Sequence, residues 1–255
     1  MSLEPTQPPY RQIASRLRHR IELGTYPPGT AMPPEEAVAA EFGVNRLTAM
    51  RALKLLRAEG MIHVQRGIGT VVREIPEIRR SAMIRYRKAE REAAGGRGAF
   101  DSEIRRLGYE PRSDVEVAKR RPPRRVADTF GIDAEAVMRQ RRMYASGTPV
   151  QFATSWIPAA IADGTALAEQ DSGPGGIVSR FAELGYEQTR VAESITTRRA
   201  EPEEASFLRL DDDAFVTEIY HVAYAAENLV VEVCIHVLPA YLWRLDYEWR
   251  IDEQA

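Results

Sequence analysis

The sequence predicts an α+β protein in two parts, a helical head that ends in a β-hairpin and a larger body built on an antiparallel sheet. In the head, apolar residues recur every three or four positions, whereas beyond residue 98 they fall in short runs typical of strands. The first 80 residues carry 12 Lys and Arg against 8 Asp and Glu, a net charge of +4, so the remainder is −6 within the total of −2. A basic head on an acidic body is typical of a polyanion-binding module joined to a second domain.

Three helices are predicted in the head. The first runs over Pro9–Leu23, and its apolar side chains form one stripe along the helix. The second runs over Pro34–Phe42 and is followed by Gly43, a residue that readily takes the left-handed conformation found after helices. Two residues later Asn45 can cap the first turn of the third helix, which is predicted to continue to Glu59.

A β-hairpin is predicted directly after these helices. Its strands are Met61–Gln65 and Thr70–Arg73, and the residues that join them, Arg66-Gly67-Ile68-Gly69, include two glycines that permit the positive φ angles of a tight turn. This order of elements is that of a winged helix-turn-helix, whose last helix enters the major groove while the hairpin lies beside it as a wing. Residues 1–75 are therefore predicted to bind double-stranded DNA.

Residues 76–98 are rich in arginine and glycine and are predicted to be a linker to a second domain, residues 99–255. Short turns around Gly147 and Asn228 join neighbouring strands of this domain, which predicts an antiparallel sheet. The predicted strands are Asp114–Lys119, Val137–Ala145, Val150–Ile157, Thr189–Arg198, Phe215–Ala225 and Leu229–Leu238. The predicted helices are Ala99–Leu107, Pro123–Phe130, Ile177–Leu184 and Glu201–Leu208.

Residues 26–72 read YPPGTAMPPEEAVAAEFGVNRLTAMRALKLLRAEGMIHVQRGIGTVV, which resembles the DNA-binding domain of the GntR family of bacterial regulators. An arginine in the first turns of the third helix can pair with guanine or clamp a phosphate. The resemblance implies that Arg46, Thr48 and Arg51 contact DNA and that Gly67 lets the wing approach the minor groove; the alternative is that these polar side chains only solvate an exposed helix. The predicted DNA-binding residues are Arg46, Leu47, Thr48, Arg51, Arg66, Gly67, Gly69 and Thr70.

Two positions depart from the family pattern in this part of the chain. Glu36 stands where the family commonly has an arginine near the DNA backbone, so one phosphate contact is expected to be replaced by repulsion. Leu47 replaces a residue that is often small or hydroxylated, and it can instead touch a thymine methyl group. Both departures predict an operator sequence different from the one the family usually recognises.

The second domain resembles the effector-binding domain of the HutC branch of this family, the UTRA domain, whose fold is similar to that of chorismate lyase. The resemblance rests on Arg141–Pro158, Asp171–Ile177 and Val230–Val233 and runs from about Phe100 to the end of the chain. It implies a pocket for a small-molecule effector. The candidate effector-binding residues are Arg141, Thr154, Ser155, Gly175, Gly176, Arg198 and Glu232.

Two of these assignments have a structural alternative. Gly175 and Gly176 precede a predicted helix, so their amides are candidates to receive a carboxylate or another anion, but the pair is also compatible with a plain loop. Arg141 and Glu232 are candidates for effector contacts, and a structural ion pair between them is the alternative.

The relatives that sense sugar phosphates carry polar or charged residues at four positions that differ here. Those positions are occupied by Met143, Ala153, Gly176 and Val178 in this chain. With these groups absent, too few remain to hold a phosphate. The predicted effector is therefore not a sugar phosphate, but a molecule that is less highly charged and partly apolar.

The resemblance implies a homodimer that binds a palindromic DNA operator and acts as a repressor released by its effector, with activation as an alternative. Two other functions stay open: an effector-independent architectural DNA-binding protein, and an enzyme of chorismate-lyase-like fold. The sequence lacks paired catalytic carboxylates, a nucleophile with a base and a P-loop, so an enzyme is disfavoured. No cofactor and no metal site is predicted.

Cysteine usage and hydropathy favour a cytoplasmic protein with no membrane partner. The single cysteine, Cys234, excludes an internal disulfide and suits a reducing compartment; it is predicted to pack inside a strand. The longest apolar stretch, Leu229–Trp243, is interrupted by Glu232 and His236 and is too short to span a bilayer. The N-terminal residues also lack the apolar core of a secretory signal.

Overall fold

A computed structural model describes residues 7–65, 67–75, 77–85, 98–210 and 214–248. The chain divides into two compact units, residues 1–77 and residues 78–255, each with its own core. Within the described residues, the structure contains no helix with the length and apolar character needed to cross a membrane.

The first unit has the predicted winged helix-turn-helix fold. Its helices are α1 (Pro9–Glu22), α2 (Glu35–Phe42) and α3 (Arg46–Ala58), and its hairpin pairs β1 (Ile62–Gln65) with β2 (Gly69–Val72) in antiparallel register. Every observed boundary lies within one residue of the predicted one. Its core consists of apolar side chains from all three helices and the hairpin, among them Ile13, Leu17, Val38, Leu53, Leu56, Ile62 and Val72.

Local capping explains why α3 begins and α2 ends where they do. The Asn45 side-chain oxygen accepts a hydrogen bond from the Thr48 amide at 2.8 Å, which confirms the predicted cap. Gly43 has a φ of 64°, the left-handed conformation that closes α2. In the hairpin turn, φ is 84° at Gly67 and 106° at Gly69, as expected for a turn that needs glycine.

The second unit is an α+β domain around a six-stranded antiparallel sheet in the order β4-β5-β6-β9-β8-β7. This confirms the predicted fold class. The six strands are β4 (Pro111–Arg120), β5 (Ala136–Ala145), β6 (Thr148–Pro158), β7 (Arg190–Arg199), β8 (Phe215–Tyr224) and β9 (Val230–Pro239). The described helices are α4 (Ala82–Arg85), α5 (Ala99–Arg106), α6 (Arg124–Phe130), α7 (Ala159–Ala162), α8 (Gly176–Glu183) and α9 (Pro202–Leu208).

Part of the segment predicted to be a linker, residues 76–98, is a strand of the second unit. Strand β3 (Ile78–Ser81) pairs in parallel with β10 (Trp243–Asp246). The prediction was wrong here because it took the arginines of this segment as solvated, whereas Ile78 and Arg80 are 0% and 1% exposed. Residues 86–97 lie outside the described residues.

Arg80 is buried because its guanidinium reaches a carboxylate on the edge strand β7. Both terminal nitrogens of Arg80 donate to Glu193, which also accepts hydrogen bonds from His221 (3.1 Å) and from the Tyr247 hydroxyl (2.8 Å). Burial acts to raise the pKa of Glu193, but the hydrogen bonds from His221, Arg80 and Tyr247 outweigh it and hold that pKa far below its usual range. The strand at the start of the second unit is thus joined to the sheet by a buried ion pair.

Candidate nucleic-acid interface and candidate ligand cavity

Helix α3 presents one exposed face made of the residues predicted to contact DNA. Arg46 has 69% of its side chain exposed, Leu47 is 52% exposed, and Arg51 is also exposed. Thr48 is half-buried beside them, and its hydroxyl donates to the Asn45 side-chain oxygen at 2.9 Å. The opposite face of the helix packs in the core, so this surface is the part of α3 that remains open to a partner.

Two carboxylates of α2 hold the Arg46 side chain at the start of this face. Arg46 Nε lies 2.9 Å from Glu35 and 3.2 Å from Glu36. The hydrogen bond to Glu35, followed by the charge of Glu36, raises the pKa of Arg46. Glu36, which was expected only to repel phosphate, is therefore also an ion-pair partner of a predicted base-contacting arginine.

The wing lies in the same unit as α3. Gly67 and Gly69 are exposed in its turn, and Thr70 is half-buried on β2. Val64 and Ile68 are 56% and 58% exposed, so the hairpin also presents apolar side chains to solvent. Arg66, the remaining predicted contact, lies outside the described residues.

The second unit contains a cavity of about 650 Å³ above one face of the sheet. This size is typical of sites for small molecules, which occupy about 300–1,000 Å³. The predicted residues Arg141, Gly175, Gly176 and Glu232 line it. Other residues that line the cavity include Arg85, Phe100, Val115, Arg139, Met143, Gln151, Ile177, Val178, His221, Cys234 and His236.

A hydrogen-bond relay forms the floor of the cavity. Arg141 Nη2 donates to Ser155 Oγ at 2.6 Å, and Ser155 Oγ donates to Glu232 Oε1, also at 2.6 Å. The second carboxylate oxygen of Glu232 accepts from Gln188 at 3.3 Å. Arg141 and Glu232 are thus joined through a fully buried serine hydroxyl, and not by the ion pair that the sequence left open as an alternative.

Arg139, next to Arg141 on the same face of β5, organises the loop over the cavity. Its terminal nitrogens donate to the carbonyl oxygens of Leu167 (2.9 Å), Glu169 and Gln170 (3.1 Å). Burial, followed by the nearby charge of Arg141, lowers the pKa of Arg139 to about 10, so the guanidinium stays protonated at neutral pH. Its terminal nitrogens therefore hold the backbone of this loop, and Arg139 is also one of the residues that line the cavity.

Cys234 and two histidines form a second polar group on the floor. The Cys234 sulfur lies 3.9 Å from His236 Nδ1, and the His221 and His236 rings are 5.9 Å apart. Burial raises the pKa of the Cys234 thiol to about 11, and burial together with the neighbouring Arg80 charge lowers the pKa of His236 well below its usual value. Cys234 is a buried strand residue, as predicted, and its thiol is protonated at neutral pH.

Three candidate effector contacts need correction. Thr154 and Arg198 are on the face of the sheet away from the cavity. The lining residues Arg139 and His221 pair with Ser155 and Glu193. Side chains alternate along a strand, and Thr154 and Arg198 lie an odd number of positions from those two residues. Arg198 instead binds carboxylates of α9 and β8, at 2.7 Å in each case. Gly176 lines the cavity, but its amide donates to the Gly173 carbonyl at 3.2 Å, which favours the plain loop over the anion site as the interpretation of this glycine pair.

Sequence reasoning missed most of the cavity floor. Met143 had been indicated as a pocket position, but Arg139, two residues before Arg141, had not, although strand alternation could have identified it. His221, Cys234 and His236 carry no motif, and only the pairing of β8 with β9 brings them together. Within the described residues, no group of three His, Cys, Asp or Glu side chains is arranged to hold a metal ion.

Comparison with known proteins identifies both units. Residues 9–72 match the model for bacterial regulatory proteins of the gntR family, and residues 106–241, more than half of the chain, match the UTRA domain model. The HTH-type transcriptional regulator RB1450 of Rhizobium meliloti, itself uncharacterized, is 31% identical over 88% of this chain and 87% of its own length. The chain belongs to the GntR family. It is a transcriptional regulator with an effector-binding UTRA domain, as the sequence resemblance implied.

Two further similarities support membership of the GntR family. A crystal structure described as a GntR-family transcriptional regulator superimposes with a TM-score of 0.59 and 26% identity, covering 96% of this chain and 99% of that one. MngR of Escherichia coli, the repressor of a mannosyl-D-glycerate transport and metabolism system, is 44% identical over 68 residues, which is 27% of this chain and 28% of MngR. The MngR similarity is therefore confined to about a quarter of each protein.

Proposed function

We propose that this GntR-family regulator binds a palindromic operator as a homodimer and is released from it by a small molecule in the cavity of the second unit. Residues up to 77 act as the DNA-binding module and residues from 78 act as the effector-binding module. The observation that carries the proposal is the exposed face of α3, where Arg46, Leu47 and Arg51 lie together beside a glycine hairpin.

In this proposal, direct contacts between α3 and the edges of the DNA bases determine the sequence specificity. Arginines on an exposed recognition helix reach the acceptors of guanine in the major groove, and Leu47 suits the methyl group of thymine. To bind guanine or phosphate, Arg46 exchanges its contacts with Glu35 and Glu36 for contacts with DNA. Only a correct base at that position compensates for the loss of the two ion pairs. The carboxylates therefore make the affinity for DNA more dependent on that base.

Effector binding, rather than catalysis, is the proposed role of the cavity. A cysteine nucleophile needs its thiolate form, whereas burial keeps the Cys234 thiol protonated at neutral pH, although His236 lies nearby. The replacement of polar groups by Met143 and Val178 in the lining supports an effector that is not a sugar phosphate. Repression is proposed because MngR, whose name describes a repressor, is 44% identical to this chain over 68 residues.

Footprinting of the promoter upstream of the protein's own gene tests the proposal. The expected result is two protected half-sites related by two-fold symmetry, about 10 base pairs apart or a multiple of that spacing, because each copy places one helix in the major groove. Sedimentation velocity on the same DNA is expected to show two protein copies per operator.

The control duplex keeps the same length and base composition but scrambles one half-site. A regulator loses roughly 1–3 kcal/mol for each mismatched base pair, so binding to this duplex falls steeply. Uniform binding to both duplexes would instead identify an architectural DNA-binding protein. A single copy bound to an unsymmetrical site would contradict the homodimer.

A further inference from the structure

The floor of the cavity places one positive and one negative group side by side. Two successive hydrogen bonds of 2.6 Å run from Arg141 through Ser155 to Glu232, so the guanidinium nitrogen and the carboxylate oxygen are no farther apart than these two lengths together. Ser155 and Glu232 are 0% and 4% exposed. A ligand that touches one of these charges is therefore also close to the other.

Neither charge is neutralised by a direct ion pair on this relay. Arg141 Nη2 contacts two neutral groups, the Ser155 hydroxyl and the protonated Cys234 thiol at 3.2 Å. Glu232 accepts from two neutral donors, Ser155 and Gln188. Glu232 is buried and Arg141 is half-buried. Charges removed from water are costly unless they are paired, so both groups favour a ligand that brings the complementary charge or hydrogen-bonding atom.

The buried arginines of the lining already bind other groups through their terminal nitrogens. Arg139 donates to backbone carbonyls, and Arg85 is ion-paired with the buried carboxylate of Glu103. A doubly charged anion bound at Arg141 would lie close to Glu232, and their repulsion is stronger than in water because the effective dielectric constant of a protein is about 20 rather than about 80. Met143 and Ile177 line the same cavity and suit a ligand whose carbon skeleton is partly apolar.

We infer that the effector is a small amphiprotic carboxylate, a molecule with one carboxylate for Arg141 and an ammonium, amide or hydroxyl donor for Glu232. Amino acids and the corresponding 2-hydroxy acids belong to this class. The inference rests on the proposed role of the cavity as the effector site and narrows the chemistry that this site accepts.

Thermal unfolding of the full-length protein with a panel of small molecules tests the inference. The panel contains the L-amino acids, the matching 2-hydroxy acids, unsubstituted carboxylic acids of the same carbon frames, and glucose 6-phosphate. At least one acid with a donor is expected to raise the unfolding temperature. Titration calorimetry is expected to show that this acid binds at least tenfold more tightly than its unsubstituted counterpart and than glucose 6-phosphate.

The variant Glu232→Gln tests whether Glu232 is the group that binds the hydrogen-bond donor of the ligand. Removing this charge is expected to weaken binding of an ammonium-bearing acid at least tenfold and to strengthen binding of glucose 6-phosphate at least tenfold, because repulsion of the dianion is lost. Glu203→Gln is the matched control: it removes the same charge from α9 in the same unit, at a side chain that is 60% exposed, and is expected to leave both affinities unchanged.

Four outcomes would overturn the inference: tighter binding of glucose 6-phosphate than of any carboxylate, equal binding of acids with and without a donor, an unchanged preference in Glu232→Gln, or no stabilisation by any member of the panel. Operator binding is measured on the same samples. If it persists while the ligand result fails, the ligand class is wrong and the proposed DNA-binding function stands, so the two failures are distinguished.

Discussion

The two units of this protein handle charge in opposite ways. In the first unit, Arg46 and Arg51 lie on an open helix face, and Arg46 forms ion pairs with the half-buried Glu35 and the exposed Glu36. In the second unit, Arg80, Arg139 and Glu232 are almost completely buried and are held by hydrogen bonds on several sides. A surface for a long polyanion has to be open, whereas a site for a small molecule gains selectivity from charges that water cannot screen.

This contrast predicts that charge removal damages stability in the second unit and DNA binding in the first. Arg80→Ala is expected to have the largest effect, because it leaves Glu193 buried without its arginine. Breaking a buried ion pair in this way costs about 3–5 kcal/mol of unfolding free energy. Tryptophan fluorescence during urea denaturation measures the second unit selectively, since all three tryptophans lie beyond residue 78.

Arg79→Ala is the matched control for this experiment. Arg79 is the exposed neighbour of Arg80 on β3, so its removal is expected to change stability by less than about 0.5 kcal/mol. Equal losses in the two variants would show that the strand as a whole, and not the buried pair, accounts for the stability.

Arg46→Ala/Arg51→Ala is expected to show the next largest effect, on DNA binding. Each good arginine–guanine pair contributes about 1–3 kcal/mol of discrimination, so operator affinity should fall roughly a hundredfold while the unfolding curve stays unchanged. Gel-shift titration on the footprinted operator measures this loss. Arg124→Ala, at a side chain that is 95% exposed in the second unit, should bind normally. Intact operator recognition by the double variant would remove the basis for assigning α3 as the reading helix.

Acidification should weaken the second unit through His236. Because the pKa of His236 is lowered in the folded protein, the unfolded chain takes up a proton below about pH 6.5 while the folded chain does not. His236 therefore costs the folded protein no stability above pH 6.5. Below that pH the free energy of unfolding falls, by up to about 1.4 kcal/mol per pH unit. Urea denaturation at pH 7, 6 and 5 measures this slope.

His236→Gln should flatten the pH dependence of this unfolding transition. His19→Gln, which removes an exposed histidine from the first unit, should leave it unchanged. The lowered pKa of Glu193 acts in a separate range, because its stability contribution is lost only as the pH falls below about 4.5. A slope that is the same in His236→Gln and in the unmodified protein would assign the effect to another group.

Glu36→Arg should give the smallest change, and one of opposite sign. An added phosphate contact makes the plot of log affinity against log salt steeper by about 0.9, and affinity at low salt rises several-fold. Binding titrations between 50 and 200 mM salt, about the range in which such slopes are read, measure it. Glu22→Arg makes the same charge change at the end of α1 and serves as the control. An unchanged slope in Glu36→Arg would place residue 36 away from the DNA backbone.

The sequence by itself determined the elements and the exposed face of α3 that is predicted to bind DNA. The helices of the first unit and the six strands of the main sheet were predicted with small boundary errors, because hydrophobic periodicity, caps and turn glycines are local signals. The predicted contacts from Arg46 to Arg51 lie together because one helix carries them all. Strand β3 was missed, since nothing local shows that Arg80 finds a carboxylate more than 100 residues later.

Only the tertiary structure decided the composition of the cavity. Its floor takes Arg141 from β5, Ser155 from β6 and Glu232 from β9, and their order across the sheet depends on pairing between distant strands. The same pairing excludes Thr154 and Arg198, because a shift of one residue along a strand moves a side chain to the opposite face. Contacts within one helix follow from its period, whereas contacts across a sheet follow from register, which no single segment of the sequence contains.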